Sequence, residues 1–385
     1  MDETVRCKGG TITLKRSKKP IAFAGPWITD KEVAYTTDAT RNGFYETRLT
    51  YARKLEKTVA TYIGMPYALA THCCTLALHL SCAAIGLKKG DEVICTDLSW
   101  IATADAIAYT GANPVFVDID PATWCIDPEH IERAITRKTK AIMIVHMFGH
   151  PCRMDEIMAI AKKHHLRVIE DAAPALGSEY KGKRVGGFGD FGCFSFHGAK
   201  IAVSGEGGIL LTKNKTLYDR AALLGSMGRT DRKAQFWCDE IGYQYTIANL
   251  TAALATAQVE RIGELMAKKR QLFKWYERGL DGIEGITLMK EQKDCTSNYC
   301  YPGLMVHPSV KISRDRIIQK LGQANIFCRP MFPRMSLMPM YEARYKNPEA
   351  TKASKYGINL PSAGNLTEED IDFVCRTFKK IIGVS

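Results

Sequence analysis

Residue types suited to holding a flat aromatic cofactor lie within one stretch, residues 167–208. An apolar run ends in Glu170 and Asp171, a second apolar run carries Ser195, and Lys200 follows beside a glycine-rich turn. A carboxylate can keep a pyridine nitrogen protonated, a hydroxyl can bind a phosphate, and a lysine amine can form an imine with an aldehyde. Together they predict a site for pyridoxal 5'-phosphate (PLP).

This prediction depends most on Asp171 and Lys200. Successive side chains of a strand point to opposite faces, so we expect Glu170 on the face opposite Asp171. A carboxylate at a strand end is also a common helix cap or half of an ion pair. Lys200 has no charged neighbour and precedes the apolar residues 201–203, a setting that desolvates the amine, lowers its pKa and frees it for imine formation. The ordinary alternative is a solvated surface lysine.

Two strand-to-helix connections offer further contacts for such a cofactor. Cys73, Cys74 and Thr75 precede a predicted helix, whose first amide groups are natural phosphate ligands. A plain helix cap at Thr75 explains the same pattern. Trp100 follows a predicted strand and can either stack on a flat ring or pack in the core.

The composition favours a soluble enzyme. The chain has 385 residues, 46% of them hydrophobic and 24% charged, which fits one large and one smaller domain. No apolar run approaches the roughly 18 residues that a membrane span needs, and the N-terminus lacks the apolar segment of a signal peptide. The 13 cysteines are scattered, which favours a reducing compartment. We therefore expect a cytoplasmic protein without a membrane partner.

The net charge of +12 is explained first by a solvated surface, second by an anionic substrate and last by nucleic acid. The basic residues are dispersed and no basic-aromatic cluster occurs, so we predict no nucleic-acid partner. His146 and His150 lack acids or cysteines at ligand spacing, so no metal site is predicted. Ser195 has no G-x-S-x-G setting, which argues against a hydrolase.

Strand-like and helix-like segments alternate through the first half of the chain. Strands are predicted over residues 67–70, 92–96, 114–119, 141–147 and 166–171, separated by helices over 75–87, 101–110, 154–165 and after residue 128. Such βα units build a doubly wound, mostly parallel sheet that binds ligands at the carboxyl ends of its strands. The predicted fold class is α/β: a three-layer αβα domain with a mostly parallel central sheet over residues 1–265, and a smaller α+β domain over residues 266–385.

Several segments lie outside this alternation. Residues 1–20 are predicted to be a loosely attached arm, residues 21–27 a short strand or a lining segment, and residues 250–269 one helix that links the domains. The smaller domain is predicted to contain a strand over residues 301–306 and helices over 314–321 and 368–381.

With these residues in view, the chain resembles the DegT/DnrJ/StrS-type sugar aminotransferases, PLP enzymes of fold type I. The resemblance extends from about Trp27 to residues 360–362, and is carried by the blocks GDEVICTDLSWIATADAI, NPVFVDIDPATWCIDP, VHMFGHPCRMDEI, IEDAAPALGSEYKGKRVGGFGDFGCFSFHGAK and GEGG. It implies that Lys200 forms the Schiff base with PLP, that Asp171 pairs with the pyridinium and that Trp100 stacks on the ring. It also implies a phosphate site made by residues Cys74, Thr75 and Ser195.

The sequence departs from the family pattern at three places. Cys73 and Cys74 replace a common Ser-Gly pair before Thr75, and Pro174 stands where a glutamine is frequent. Gln244 replaces an asparagine that, in many members, reaches the phosphate from the second subunit. Arg329 is a further candidate, as an anion contact for the substrate.

The resemblance implies a homodimeric, PLP-dependent transaminase that moves the amino group of L-glutamate to a keto-sugar. The expected acceptor is a nucleotide-linked 4-keto-6-deoxy or 3-keto sugar, used for a cell-surface polysaccharide such as lipopolysaccharide. Acceptors without a nucleotide, namely an acidic eight-carbon keto sugar or a cyclitol ketone, remain alternatives. A PLP-dependent sugar dehydratase is disfavoured because those relatives carry histidine where Lys200 stands. A non-catalytic regulator is disfavoured because Lys200, Asp171 and Ser195 are all retained.

Overall fold

The computed structural model of the protein describes residues 3–7 and 10–384, with side chains from Leu14 onward. The helices are α1 (Asp30–Asn42), α2 (Thr50–Ile63), α3 (Cys74–Ala84), α4 (Ala102–Ala108), α5 (Pro128–Ala134), α6 (Met154–Lys163), α7 (Lys215–Gly225), α8 (Asn249–Val259), α9 (Ile262–Leu280), α10 (Arg314–Gln323), α11 (Pro348–Tyr356) and α12 (Glu368–Ile382). The strands are β1 (Glu3–Cys7), β2 (Gly10–Leu14), β3 (Tyr67–Thr71), β4 (Glu92–Thr96), β5 (Asn113–Val117), β6 (Thr139–Val145), β7 (Arg167–Asp171), β8 (Glu179–Tyr180), β9 (Lys183–Arg184), β10 (Phe191–Ser195), β11 (Gly208–Thr212), β12 (Ile286–Leu288), β13 (Cys295–Thr296), β14 (Gly303–Val306), β15 (Arg329–Pro330) and β16 (Gly357–Asn359).

The central sheet has seven strands in the order β3-β11-β10-β7-β6-β4-β5. Neighbours from β10 to β5 are parallel, and β11 is antiparallel to both β10 and β3. The carboxyl ends of the parallel strands therefore meet at one edge of the sheet, where α/β folds bind their ligands. The predicted mostly parallel sheet is confirmed.

Alternating side chains give the sheet two apolar faces. Val93, Cys95, Met143 and Ile169 pack with α3, α4 and α7 on one face. Ile94, Ile142, Ile144 and Val168 pack with α5 and α6 on the other, and α2 and α8 cover the part of that face formed by Phe194, Ile209 and Leu211. Helices on both faces make the three-layer αβα arrangement, as predicted.

The C-terminal part of the chain builds a second, antiparallel sheet in the order β12-β14-β16-β15. Its apolar side packs against residues of α9, α10 and α12, including Leu272, Ile317 and Phe378. This is the predicted smaller α+β unit. The predicted boundary between residues 265 and 266 falls inside α9 and stays a prediction.

Two expectations from the sequence are wrong. The helix predicted over residues 250–269 is two helices, because Arg261 leaves the helical path and donates to the carboxylate of Glu32 (2.8 Å) and the carbonyl of Trp27 (3.1 Å). Residues 14–20 are not loosely attached: Leu14 is buried in the core of the C-terminal unit, and Lys19 pairs with Asp370 at 2.9 Å. Residues 1, 2, 8 and 9 of the predicted arm lie outside the described residues.

None of the helices in the described part of the chain combines the length and apolar character that a bilayer crossing requires. Residues 21–27 form a single β-bridge, at Ile21, and the rest of the segment is partly buried except for the exposed Pro26. The Phe23 ring stacks on Tyr301 with 4.8 Å between centroids.

Candidate active site

Asp171 ends β7 on the sheet face covered by α3 and α4, and it is 5% exposed. The hydroxyl of Thr103, on α4, donates to its Oδ2 atom at 2.7 Å, and the backbone N–H of Ala173 donates to Oδ1 at 3.2 Å. Ser99 lies 3.1 Å from the Thr103 hydroxyl, so a short polar chain leads from the Trp100 loop to this carboxylate. These contacts fix the orientation of Asp171.

The pKa of Asp171 is raised, because burial removes the charged form from water. The Thr103 hydrogen bond, the positive charge of Lys200 and the Ala173 N–H oppose this rise. Asp171 therefore lies within electrostatic reach of Lys200. A positively charged partner at the carboxylate would offset the remaining cost of its burial.

Glu170 points to the opposite face of the sheet, as predicted, and is completely buried. Its Oε2 atom lies 3.1 Å from Nε2 of His146, and its carboxylate accepts the backbone N–H groups of Gly186, Phe188 and Gly189 at 2.7 Å each. Burial acts to raise the pKa of Glu170, but these hydrogen bonds lower it overall. Glu170 is a structural acid that fixes the loop before β10.

His146 and His150 are packed residues. His146 accepts the N–H of Cys152 at Nδ1, and His150 contacts the Pro151 carbonyl through Nδ1 while its Nε2 accepts the Gln292 N–H at 3.1 Å. Among the described residues no group of three or more histidine, cysteine and acidic side chains is arranged to bind a metal ion.

Lys200 lies in the turn that follows β10, and it is half-buried. Its backbone N–H donates to the His197 carbonyl at 2.8 Å, and the turn is closed by bonds from Gly198 to Gly205 and from Ser204 to Phe196. The hydroxyl of Tyr301 donates to the Ala199 carbonyl at 2.7 Å. The segment between β13 and β14 thus holds the residue before the lysine.

The start of α3 forms a cradle beside Asp171. Cys73 is the N-cap, and the following amide groups, at the start of the helix, have no partner within it. The backbone of Gly208 approaches so closely that a Cβ atom there would be 2.4 Å from the backbone N of Cys74. Burial raises the pKa of the Cys74 thiol, and the charges of Asp171 and Lys200 also act on it. Cys74 therefore lies among the predicted site residues.

Ser195 ends β10 beside this cradle and is buried. It pairs with Gly208 across the strands, and Cys193, two residues earlier, pairs with Asp171. Because side chains alternate, Cys193 and Ser195 share a face of the strand. The predicted acid and hydroxyl thus lie on adjacent strands near the start of α3.

Trp100 is 63% exposed and lies 6.0 Å, between ring centroids, from Phe332 of the C-terminal unit. A buried ion pair fixes this approach: Arg334 donates to Asp97 at 2.7 Å, and the N–H and hydroxyl of Ser336 donate to the same carboxylate at 2.8 Å each. Trp100 therefore presents a free ring surface from a rigid loop.

Gln244 and Arg329 are both exposed in the single chain. The chain beside Gln244 is tied to α3, because the Tyr245 hydroxyl lies 3.0 Å from Nδ1 of the buried His79. The Arg329 guanidinium lies 6.0 Å from the centre of the Phe23 ring. The roles predicted for Gln244 and Arg329 stay predictions.

The residues present fit PLP. The carboxylate of Asp171 is buried and lacks a directly bonded cation, which the protonated pyridine nitrogen would supply. The amide groups in the first turn of α3 have no partner within the helix and are the type of donor that binds a phosphate, and the Gly208 backbone lies against them. The exposed Trp100 ring is available for stacking.

Comparison with known proteins agrees with this fit. Residues 26–379 match the DegT/DnrJ/EryC1/StrS aminotransferase family. The chain is 39% identical over 363 residues to the GDP-perosamine synthase of Escherichia coli O157:H7, covering 94% of this chain and 98% of that protein. It is 36% identical over 366 residues to the GDP-perosamine synthase of Caulobacter vibrioides, covering 94% and 98%. The PLP form of Spr1654 from Streptococcus pneumoniae superimposes with a TM-score of 0.89 and 27% identity, covering 94% of this chain and 99% of that one.

The chain therefore belongs to the DegT/DnrJ/EryC1/StrS aminotransferase family and is a sugar aminotransferase of PLP fold type I. It is a PLP-dependent aminotransferase, as the sequence predicted.

Proposed function

We propose that this protein transfers the amino group of L-glutamate to a nucleotide-linked keto-sugar that is used to build a cell-surface polysaccharide such as lipopolysaccharide. The observation that supports this most directly is the identity of 39% and 36%, over 94% of the chain, to two proteins named for a GDP-linked amino sugar. A GDP-linked 4-keto-6-deoxy sugar is accordingly the first acceptor to test.

In this proposal Asp171, held by Thr103, keeps the proton on the pyridine nitrogen, and the start of α3 with Ser195 binds the phosphate. PLP, when bound, supplies the electron sink for the carbanion at the donor α-carbon. Lys200 would hold the cofactor through its Nζ atom, and the same atom would move the proton on and off that carbon. Trp100 covers one face of the ring and keeps water from it.

The Lys200 amine supports amino transfer rather than dehydration. In amino transfer a proton must be removed from one carbon and returned to another, and a lysine amine can act as the base and then as the acid. An anionic acceptor suits the net charge of +12 and the exposed guanidinium of Arg329. Among the acceptors without a nucleotide, the acidic eight-carbon keto sugar shares this feature and the cyclitol ketone does not.

We further propose a cytoplasmic homodimer in which Gln244 reaches the phosphate bound by the partner subunit. Gln244 is exposed in the single chain, and large apolar side chains near it in the sequence are exposed as well, including Met227 (54%) and Ile241 (93%). A second copy of the chain that covered this surface would remove those side chains from water.

The test measures the two halves of the reaction separately. PLP-loaded protein is mixed with L-glutamate, and the loss of the visible cofactor band gives the rate of the first half. The recovered amino form is then offered a GDP-linked 4-keto-6-deoxy sugar, the same sugar without nucleotide, an acidic eight-carbon keto sugar and a cyclitol ketone. We expect the band to return at least tenfold faster with the nucleotide-linked sugar, since the diphosphate adds charged hydrogen bonds. Equal rates with and without the nucleotide would overturn the proposed acceptor class, and the Lys200→Ala variant serves as the blank.

A further inference from the structure

A buried segment of the C-terminal half, residues 297–301, crosses between the two loops that carry Asp171 and Lys200. We call it the crossing segment. Its Asn298 is fully buried, and the side-chain amide donates to the carbonyls of Pro174 and Leu176 at 2.9 Å each. Those carbonyls belong to the loop that follows Asp171. One side chain of the crossing segment thus fixes the loop on the acid side of the site.

The other end of the crossing segment holds the turn that carries Lys200. The Tyr301 hydroxyl donates to the Ala199 carbonyl at 2.7 Å. The residue before the lysine is therefore bonded directly to the crossing segment.

The crossing segment is itself held rigidly. The Cys300 carbonyl accepts from Nζ of the buried Lys269 at 3.1 Å and from the Ser362 hydroxyl at 3.0 Å. The Asn298 N–H donates to the Ser178 hydroxyl at 3.0 Å. The Tyr301 ring stacks on Phe23 and meets Phe148 edge-on, with 5.5 Å between centroids. A side chain that is already fixed by several contacts can orient its hydrogen-bond partner well, because forming that bond costs conformational entropy only in the partner.

We propose that Tyr301 is a positioning residue for Lys200: its hydroxyl, anchored through the crossing segment to the loop after Asp171, sets the place of the lysine amine relative to that carboxylate. The inference rests on the proposed role of Lys200. The bonds at the ends of the Lys200 turn, from Gly198 and Ser204, close the loop, and the Tyr301 bond acts beside the lysine itself. Without the hydroxyl the turn keeps its ends but loses the contact that orients Lys200.

The test compares Tyr301→Phe with Tyr299→Phe, a matched control in the same segment. Tyr299 is also buried, its hydroxyl accepts the Glu291 N–H at 3.1 Å, and its ring stacks on Phe273 at 3.7 Å, so both changes remove one buried tyrosine hydroxyl bonded to backbone. Three quantities are measured: the melting temperature of the PLP-loaded protein, the dissociation constant of PLP from the apoprotein, and the pH midpoint of the visible cofactor band.

We expect both variants to lose similar melting temperature, because each loses one buried hydrogen bond. Tyr301→Phe alone should weaken PLP binding about fivefold, the value of one net hydrogen bond, and should shift the pH midpoint of the cofactor band, while Tyr299→Phe leaves both unchanged. A Tyr301→Phe protein with the PLP affinity and pH midpoint of Tyr299→Phe would overturn the positioning role. Lys200→Ala separates the two proposals: if it keeps the visible band, the role of Lys200 fails, whatever Tyr301 does.

Discussion

Replacing Thr103 with valine tests how Asp171 is kept ionised in a buried site. The change keeps the shape of the side chain and removes the hydroxyl that donates to Oδ2 at 2.7 Å. This distance is that of a short, charge-assisted hydrogen bond, so the hydroxyl stabilises the charged carboxylate more than the neutral acid. Burial already raises the pKa of Asp171, and losing this donor raises it further.

The size of the shift follows from the bond. A hydrogen bond to a charged group contributes about 1.5–3 kcal/mol, and one pKa unit corresponds to about 1.4 kcal/mol, so the pKa of Asp171 should rise by about one to two units in Thr103→Val. Because Asp171 must be ionised to hold the proton on the pyridine nitrogen, activity is lost as the pH falls through this pKa. The acid limb of the pH profile should therefore move to higher pH by the same amount.

The assay measures the rate of the L-glutamate half-reaction from the loss of the cofactor band, at pH values from about 5 to 9. Bound PLP lowers the pKa of Asp171 in the wild-type and in the variant protein alike, so the difference in pKa between the two proteins remains. Ser99→Ala, which removes the partner of Thr103, should shift the limb less. Thr256→Val is the control, since its fully buried hydroxyl bonds only the Ala252 carbonyl within α8, at 2.6 Å. A Thr103→Val profile that coincides with that of Thr256→Val would refute the reasoning.

Three further results are expected. Mixing inactive Lys200→Ala with inactive Gln244→Ala subunits should restore about a quarter of the wild-type activity. About half of the randomly formed dimers would contain one subunit of each kind, and such a dimer has one intact site of two. No recovery of activity after verified subunit exchange would contradict a site shared between subunits. Burial lowers the pKa of Lys269 from 10.5 to about 8, so the fold disfavours its charged form. Between pH 8 and 10.5 Lys269 is protonated only in the unfolded chain, so the free energy of unfolding should rise with pH by up to about 3 kcal/mol relative to Lys269→Met. If denaturant unfolding gives parallel pH curves for the wild-type and Lys269→Met proteins, this prediction is wrong. Arg334→Met leaves the fully buried Asp97 without its cation and should cost about 3 kcal/mol in the same assay; a loss below about 0.5 kcal/mol, typical of a surface pair, would contradict it.

The placement of Asp171 and Glu170 on opposite faces of the sheet was predictable, because successive side chains along a strand such as β7 point to opposite faces. The proximity of the acid, the hydroxyl and the lysine was also predictable. Each lies at or just after the end of a strand, and the carboxyl ends of parallel strands meet at one edge of the sheet. The break at Arg261 was not predictable, because the apolar spacing continues through it. It depends on an acid, Glu32, that lies 229 residues away.

The residues that orient the site left no signal in the sequence. Thr103 lies 68 residues from the carboxylate that it contacts, and Tyr301 lies 102 residues from Ala199. Neither has a motif, and a threonine in a helix or a tyrosine before a strand is ordinary. Such contacts depend on how helices and the C-terminal unit pack on the sheet, which periodicity within one segment does not specify.

In the proposed function a single lysine, Lys200, carries the cofactor, and this can be tested directly. PLP-loaded protein is treated with borohydride, which fixes the link between cofactor and amine, then digested and examined by mass spectrometry. We expect a single pyridoxyl adduct, on the peptide that contains Lys200, and no adduct in the Lys200→Ala protein. An adduct on another lysine, or an undiminished adduct in the Lys200→Ala protein, would contradict it.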